Sequence, residues 1–298
     1  MASTELATER ALYIGNTIAT VIYGGIVFIY GYSTYLLMAS RKPIPRRLFY
    51  ISFGGLLLLL LTIASASNLA FGELMWIEQR NDPGGPPAFF AANLSAWYNV
   101  FGTAADTAAN ILTDGLLLYR CYIIWGSRLR VIVIPAIIFL GSTTMSVMMV
   151  IESAVPMSNI WQGLAARFGI SWVALTVGFN IIVTGLITFR LLSIHHRVQS
   201  ILSNEQKSVY TGAVAILAES ALPFTVLGIV YIATYIKGIP SATAVGIVWG
   251  TFAVLTPQLI ILRVASGVAW SKDTESSITQ TTLHDSFSGS SNTIIKNA

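Results

Sequence analysis

Seven long apolar stretches divide the sequence, at about residues 11–39, 48–72, 97–125, 131–151, 168–193, 209–236 and 242–266. Each reaches the roughly 20 residues that an α-helix needs to cross the hydrocarbon core of a bilayer. Inside lipid every backbone N–H and C=O has to be paired within the protein, and a helix does this within its own segment. The pattern therefore predicts an all-α membrane protein, a seven-transmembrane helix bundle over residues 11–266. A short segment, 1–10, precedes it and a Ser/Thr-rich tail, 267–298, expected to be disordered, follows. Composition agrees about the solvent. Only 10% of the residues are charged, against about 25% in a soluble domain. Too few charges remain to cover a surface facing water, so the lipid bilayer is the expected partner.

Orientation follows from the basic residues. Of 17 Lys and Arg, four (Arg10, Arg80, Arg167 and Lys237) fall on one side of the predicted membrane and 13 on the other. Basic residues concentrate on the cytoplasmic side, which puts the N-terminus outside and the tail in the cytoplasm. The sequon Asn93-Leu94-Ser95 lies in the connection 73–96, outside by the same assignment, so Asn93 is a candidate glycosylation site. The opening Met-Ala-Ser-Thr-Glu has no basic run, so the first apolar segment is expected to act as an uncleaved anchor. The net charge of +4 is no nucleic-acid signal, because the basic residues sit in short turns. One cysteine, Cys121, excludes an intrachain disulfide.

The third span differs from the others. Between Trp97 and Trp125 it carries Asp106, Asn110, Asp114 and Arg120 among Ala, Gly, Ile, Leu and Thr. On a wheel of about 100° per residue, all its strongly polar residues fall within about 140° of arc. Ionisable residues at membrane depth cost roughly 2.5–3.5 kcal/mol each on insertion scales and usually face a protein interior or a wet cavity. The stripe reads either as interhelical bonding or as the lining of a ligand pocket, an ion site or a proton path. Its centre is Asp106, Asn110 and Asp114.

Other spans supply partners. Glu219 should lie at the depth of Asp114, and Pro223 four residues later cannot bond the Glu219 carbonyl. A kink is expected there, and Glu219 is either part of a site or a structural bond. Thr176, Asn180, Thr184 and Thr188 share a face of span five. In span seven, Ala242, Gly246 and Gly250 read as a close-packing seam and Pro257 as a second kink. Arg120, Arg190 and Arg263 lie near cytoplasmic ends, either snorkelling to water or latching the helices together. The outer connection holds Asn81-Asp82-Pro83-Gly84-Gly85-Pro86-Pro87 and then Phe89, Phe90, Trp97 and Tyr98. This is turn chemistry followed by an interfacial aromatic belt or by a lid over an outward cavity.

Enzyme chemistry has little to build on. The three histidines, His195, His196 and His284, lie off the spans. No nucleotide loop, nucleophile elbow or metalloprotease motif appears. The expectation is a non-enzyme with no cofactor and no metal.

The sequence Asn110-Ile111-Leu112-Thr113-Asp114, the run Leu118-Tyr119-Arg120-Cys121-Tyr122-Ile123-Ile124-Trp125, Glu219-Ser220-Ala221 and the run from Pro257 to Gly267 with Ala269-Trp270 together resemble a large family of basidiomycete integral membrane proteins. The resemblance implies a seven-helix fold and a lineage rather than a mechanism. The topology is also similar to that of G-protein-coupled receptors. Arg120-Cys121-Tyr122 stands where many of those have Asp-Arg-Tyr, and span seven has no Asn-Pro-x-x-Tyr motif, which argues against coupling to G proteins. The expected function is a receptor-like sensor of the plasma membrane that binds a small molecule between spans three, five, six and seven and acts on a cytoplasmic signalling protein. Ligand contacts are expected from Asp106, Asn110, Asp114, Asn180 and Glu219, and switching from Glu219, Pro223, Pro257 and Arg120. The alternatives are a proton- or cation-coupled carrier or channel using Asp106, Asp114 and Glu219, or a non-catalytic membrane organiser.

Overall fold

The computed structural model describes residues 2–39, 46–155, 163–198 and 222–266. Glu219 and the tail 267–298 lie outside the described residues. Within them the chain is helical, with eight α-helices and no strand: α1 (Ala2–Ala39), α2 (Arg47–Glu73), α3 (Gly85–Asn93), α4 (Trp97–Ile124), α5 (Leu129–Ser153), α6 (Gly163–Val198), α7 (Leu222–Ile236) and α8 (Ser241–Ala265). A single π turn, Leu74–Glu78, extends α2. Residues 2–10, expected to precede the first span, are helical and continuous with it.

Five helical stretches are long and apolar enough to cross a membrane: Leu6–Ala39, Arg47–Glu78, Leu129–Ser153, Gly163–Ser193 and Ser241–Ala265. The chain is thus a multi-pass membrane protein. The helix α4, with 28 residues, is as long as its neighbours but is not among the five. Its polar stripe interrupts the apolar sequence. The described part of α7 is shorter and includes Pro223.

The helix α4 is the central member and touches α2, α5, α6 and α8. Its buried residues include Thr107, Asn110, Asp114 and Cys121, so the polar stripe faces the protein, while Tyr119 on the opposite side is exposed. Large apolar side chains such as Val21, Phe28, Ile137 and Leu140 point outward and are well exposed. Lipid suits such a surface, and water does not. The connection expected as turn chemistry contains a helix. Gly84 and Gly85 take positive φ angles of 91° and 61° that residues with a side chain rarely adopt, and Pro86 and Pro87 then start α3. Rings of Phe89 and Phe90 dock on Phe71 at 5.5 and 5.8 Å, which ties α3 to α2.

The most extensive packing joins α1 to α8. The two backbones come close at Gly15, where an added Cβ would stand 2.8 Å from Ala244 Cα. A backbone atom cannot step aside, so Gly15→Ala should overpack the contact and cost about 1–3 kcal/mol. Gly24 on the same helix has nothing within 4 Å of such a Cβ. Thermal melts in detergent should show Gly15→Ala below the parent protein and Gly24→Ala at or above it.

Candidate functional site

The stripe on α4 meets two separate hollows. Asp106 opens onto a cavity of about 190 Å³ whose lining also includes Phe90 and Leu94 from the α3 end of the bundle. The helices α1 and α2 contribute Leu12, Asn16, Ala64 and Asn68; α6, α7 and α8 contribute Trp172, Tyr231, Tyr235 and Trp249. No basic side chain lines it among the described residues.

Glycines on α8 shape this cavity. A Cβ on Gly250 would stand 2.9 Å from Asp106 Oδ1 and 3.0 Å from Oδ2. One turn earlier, a Cβ on Gly246 would stand 2.8 Å from Tyr231 Cε2. The seam read from spacing as helix packing thus seats two side chains of the site, and α1 approaches α8 at Gly15 instead. The indole of Trp249 stacks on Phe224 at 5.0 Å and also meets Trp172 at 5.7 Å and Tyr231 at 5.6 Å. Beneath the cavity the packing closes, since Ile26, Leu57, Ala109 and Val254 are all 0% exposed.

Asp114 occupies a deeper place. Asn180 Nδ2 donates to Asp114 Oδ1 at 3.1 Å and to the Thr176 carbonyl at 3.1 Å. The hydroxyls of Thr176 and Ser142 are 2.6 Å apart, which carries the polar chain on to α5. Next to Asp114 lies a void of about 20 Å³, lined among others by Thr113, Arg120, Asn180, Phe224, Ala253 and Pro257. That is room for about one water. Pro257 sits inside α8 and lacks the N–H that would bond the Ala253 carbonyl. That carbonyl is therefore free of its helical partner on the edge of the void.

The stripe does not converge on one site. Asp106 faces the cavity, and Asp114, Asn180, Arg120 and Pro257 gather at the void. Asn110 lines neither. It is buried between them and donates to the Asp106 carbonyl at 3.3 Å. Asn93 closes α3 and donates to the Phe89 carbonyl at 3.0 Å. Among the basic residues expected to snorkel or latch, Arg190 places its guanidinium 5.5 Å over the Trp125 ring, and Trp125 Nε1 donates to the Leu186 carbonyl at 3.3 Å. Nearby, Arg46 bonds the Tyr119 hydroxyl from the start of α2.

Comparison of the chain with protein-family models, curated proteins and solved structures gives no match.

Sequence reasoning passed over Asn16, Asn68, Trp172 and Trp249. A signal was there. Trp favours membrane interfaces, so Trp172 and Trp249 well inside apolar helices point to an interior use. A lone Asn in each of the first two spans does the same.

The Asp114–Asn180 bond carries a direct expectation. Buried interhelical hydrogen bonds in membranes average about 0.6 kcal/mol and reach about 1.7. A double-mutant cycle with Asp114→Ala and Asn180→Ala should give a coupling energy at the upper end of that range, because the acceptor is a carboxylate. A coupling of zero would show that the two side chains do not meet.

Proposed function

We propose that the chain is a receptor-like sensor that takes a small ligand into the Asp106 cavity. The observation that carries this reading is a cavity holding a carboxylate with no basic neighbour, closed beneath by a fully packed layer. A burial of this kind is expensive without a use, because an ionisable group at membrane depth costs roughly 2.5–3.5 kcal/mol. In this reading seven helices span the plasma membrane with the N-terminus outside, as the bias of basic residues favours. The cavity then faces outward beneath α3, and Arg120 stands on the inner half, near a cytoplasmic signalling partner. The reading includes no enzymatic step. Its lineage is that of the basidiomycete membrane proteins which the motifs on the third, sixth and seventh spans resemble.

A carrier or channel that moves protons or a cation by way of Asp106, Asp114 and Glu219 is the second reading. The water-sized void beside Asp114 and the carbonyl released by Pro257 favour it. The closed layer between the cavity and that void weighs against it.

Thr103 lines the cavity, and the native Cys121 is fully buried and out of reach of reagents. A membrane-impermeant thiol reagent should therefore label Thr103→Cys from the outer side alone. Labelling from both sides of a sealed membrane would establish alternating access and replace the sensor with a carrier.

A further inference from the structure

The lining of the cavity points to the class of ligand, on the footing that the cavity binds one. We infer that the Asp106 cavity takes a small organic ammonium ion. Among the described residues Asp106 is the only charged side chain on the wall, and it is acidic. Trp172, Tyr231, Tyr235 and Trp249 present aromatic rings in the same hollow. The rings of Trp172 and Tyr231 each contact that of Trp249, and Tyr235 stacks on Tyr231 at 5.4 Å, so the four form one continuous wall. Ring faces attract cations, and the attraction grows to about 2 kcal/mol or more when the cation is desolvated.

One further observation points to a ligand rather than to packing: the neighbouring chamber of about 260 Å³, which shares Leu12, Phe90, Tyr235 and Thr243 with the first. Glu9 stands on its wall, and no basic side chain does among the described residues. A cation approaching by this chamber therefore passes one carboxylate before it reaches the next.

The alternatives fit less well. An anion would meet Asp106 with no positive partner. A bare metal ion such as calcium asks for six to eight oxygen ligands, and among the described residues Asp106 is the one carboxylate on the wall, with no group of three or more His, Cys, Asp or Glu to hold a metal. A neutral ligand would leave the carboxylate unpaired. An ammonium with apolar substituents answers the carboxylate and the rings together.

Choline and its neutral isostere 3,3-dimethylbutan-1-ol separate charge from shape. Purified full-length protein carrying Thr103→Cys should be protected from thiol labelling by choline or by phenethylammonium. The neutral isostere should need a concentration at least about tenfold higher, equivalent to about 1.4 kcal/mol. Asp106→Asn should remove that difference while leaving the weak effect of the isostere in place. Equal protection by choline and its isostere, or protection by neither ammonium at a cysteine that labels readily, would overturn the inference and leave the sensor reading standing. A Thr103→Cys that labels from neither side would instead remove the cavity reading on which it rests.

Discussion

A carboxylate at membrane depth has to be housed by the protein, because lipid offers it nothing. The way this chain houses Asp106 organises much of the rest. The α8 backbone bears only a hydrogen at Gly250, and the carboxylate fills the space that a Cβ would take. That fixes the rotation of α8 about its own axis relative to α4. The same rotation turns Gly246 toward Tyr231 and Trp249 toward Phe224. It also aims Gln258 at α2, where its Nε2 donates to the Gly54 carbonyl at 2.8 Å with the whole side chain buried. With α8 held in that way, α1 can lie along it at Gly15 and complete the wall of the cavity.

The long apolar helices were legible in the sequence, because long apolar runs between turn residues have few other solutions, whereas α3 and the extension of α1 to Ala2 were not, and residues 209–221 of span six lie outside the described residues. The inward direction of the α4 stripe was legible for the same reason. Its division was not. Asp106, Asn110 and Asp114 recur at four-residue intervals and share a face, and a wheel reports angle but not what stands opposite at each level. Opposite Asp106 stand Gly250 and a ring of aromatics, and opposite Asp114 stands Asn180. Asn110, one turn from each, reaches neither hollow and falls back on its own helix. The small-residue spacing on α8 gave the close approach but not its partner. It promises that something approaches closely, but not whether that is a backbone or a side chain. The contributions of α1 and α2 depend on packing between segments far apart in sequence, so span-by-span reading left them out.

The two hollows lie at different depths on one helix. Asp106 and Asp114 are eight residues apart, or about 12 Å along the axis, and the layer of Leu57, Ala109 and Val254 stands between their surroundings. This separation favours different roles. The upper hollow has room for an organic molecule. The lower one has room for about one water, and its carboxylate is already bonded. A single polar channel would have needed Asn110 to open onto both, and its side chain is packed away instead.

What joins the two is aromatic rather than ionic. Trp249 walls the upper cavity, and Phe224, stacked on it at 5.0 Å, walls the lower void. Ala253, one turn along α8 from Trp249, stands on the edge of that void with the carbonyl that Pro257 leaves unbonded. Gly228 on α7 lets the indole come close, since a Cβ there would stand 3.0 Å from Trp249 Nε1. On the proposed reading, a ligand that shifts the indole has to shift Phe224 or the α7 backbone behind it. Tightly packed interiors respond to such shifts by moving between discrete arrangements rather than by deforming smoothly. The helix with a proline-broken bond has the freedom to supply the second arrangement. On the proposed sensor reading, this ring stack is the route from the cavity to the void that Asp114, Asn180 and Arg120 line.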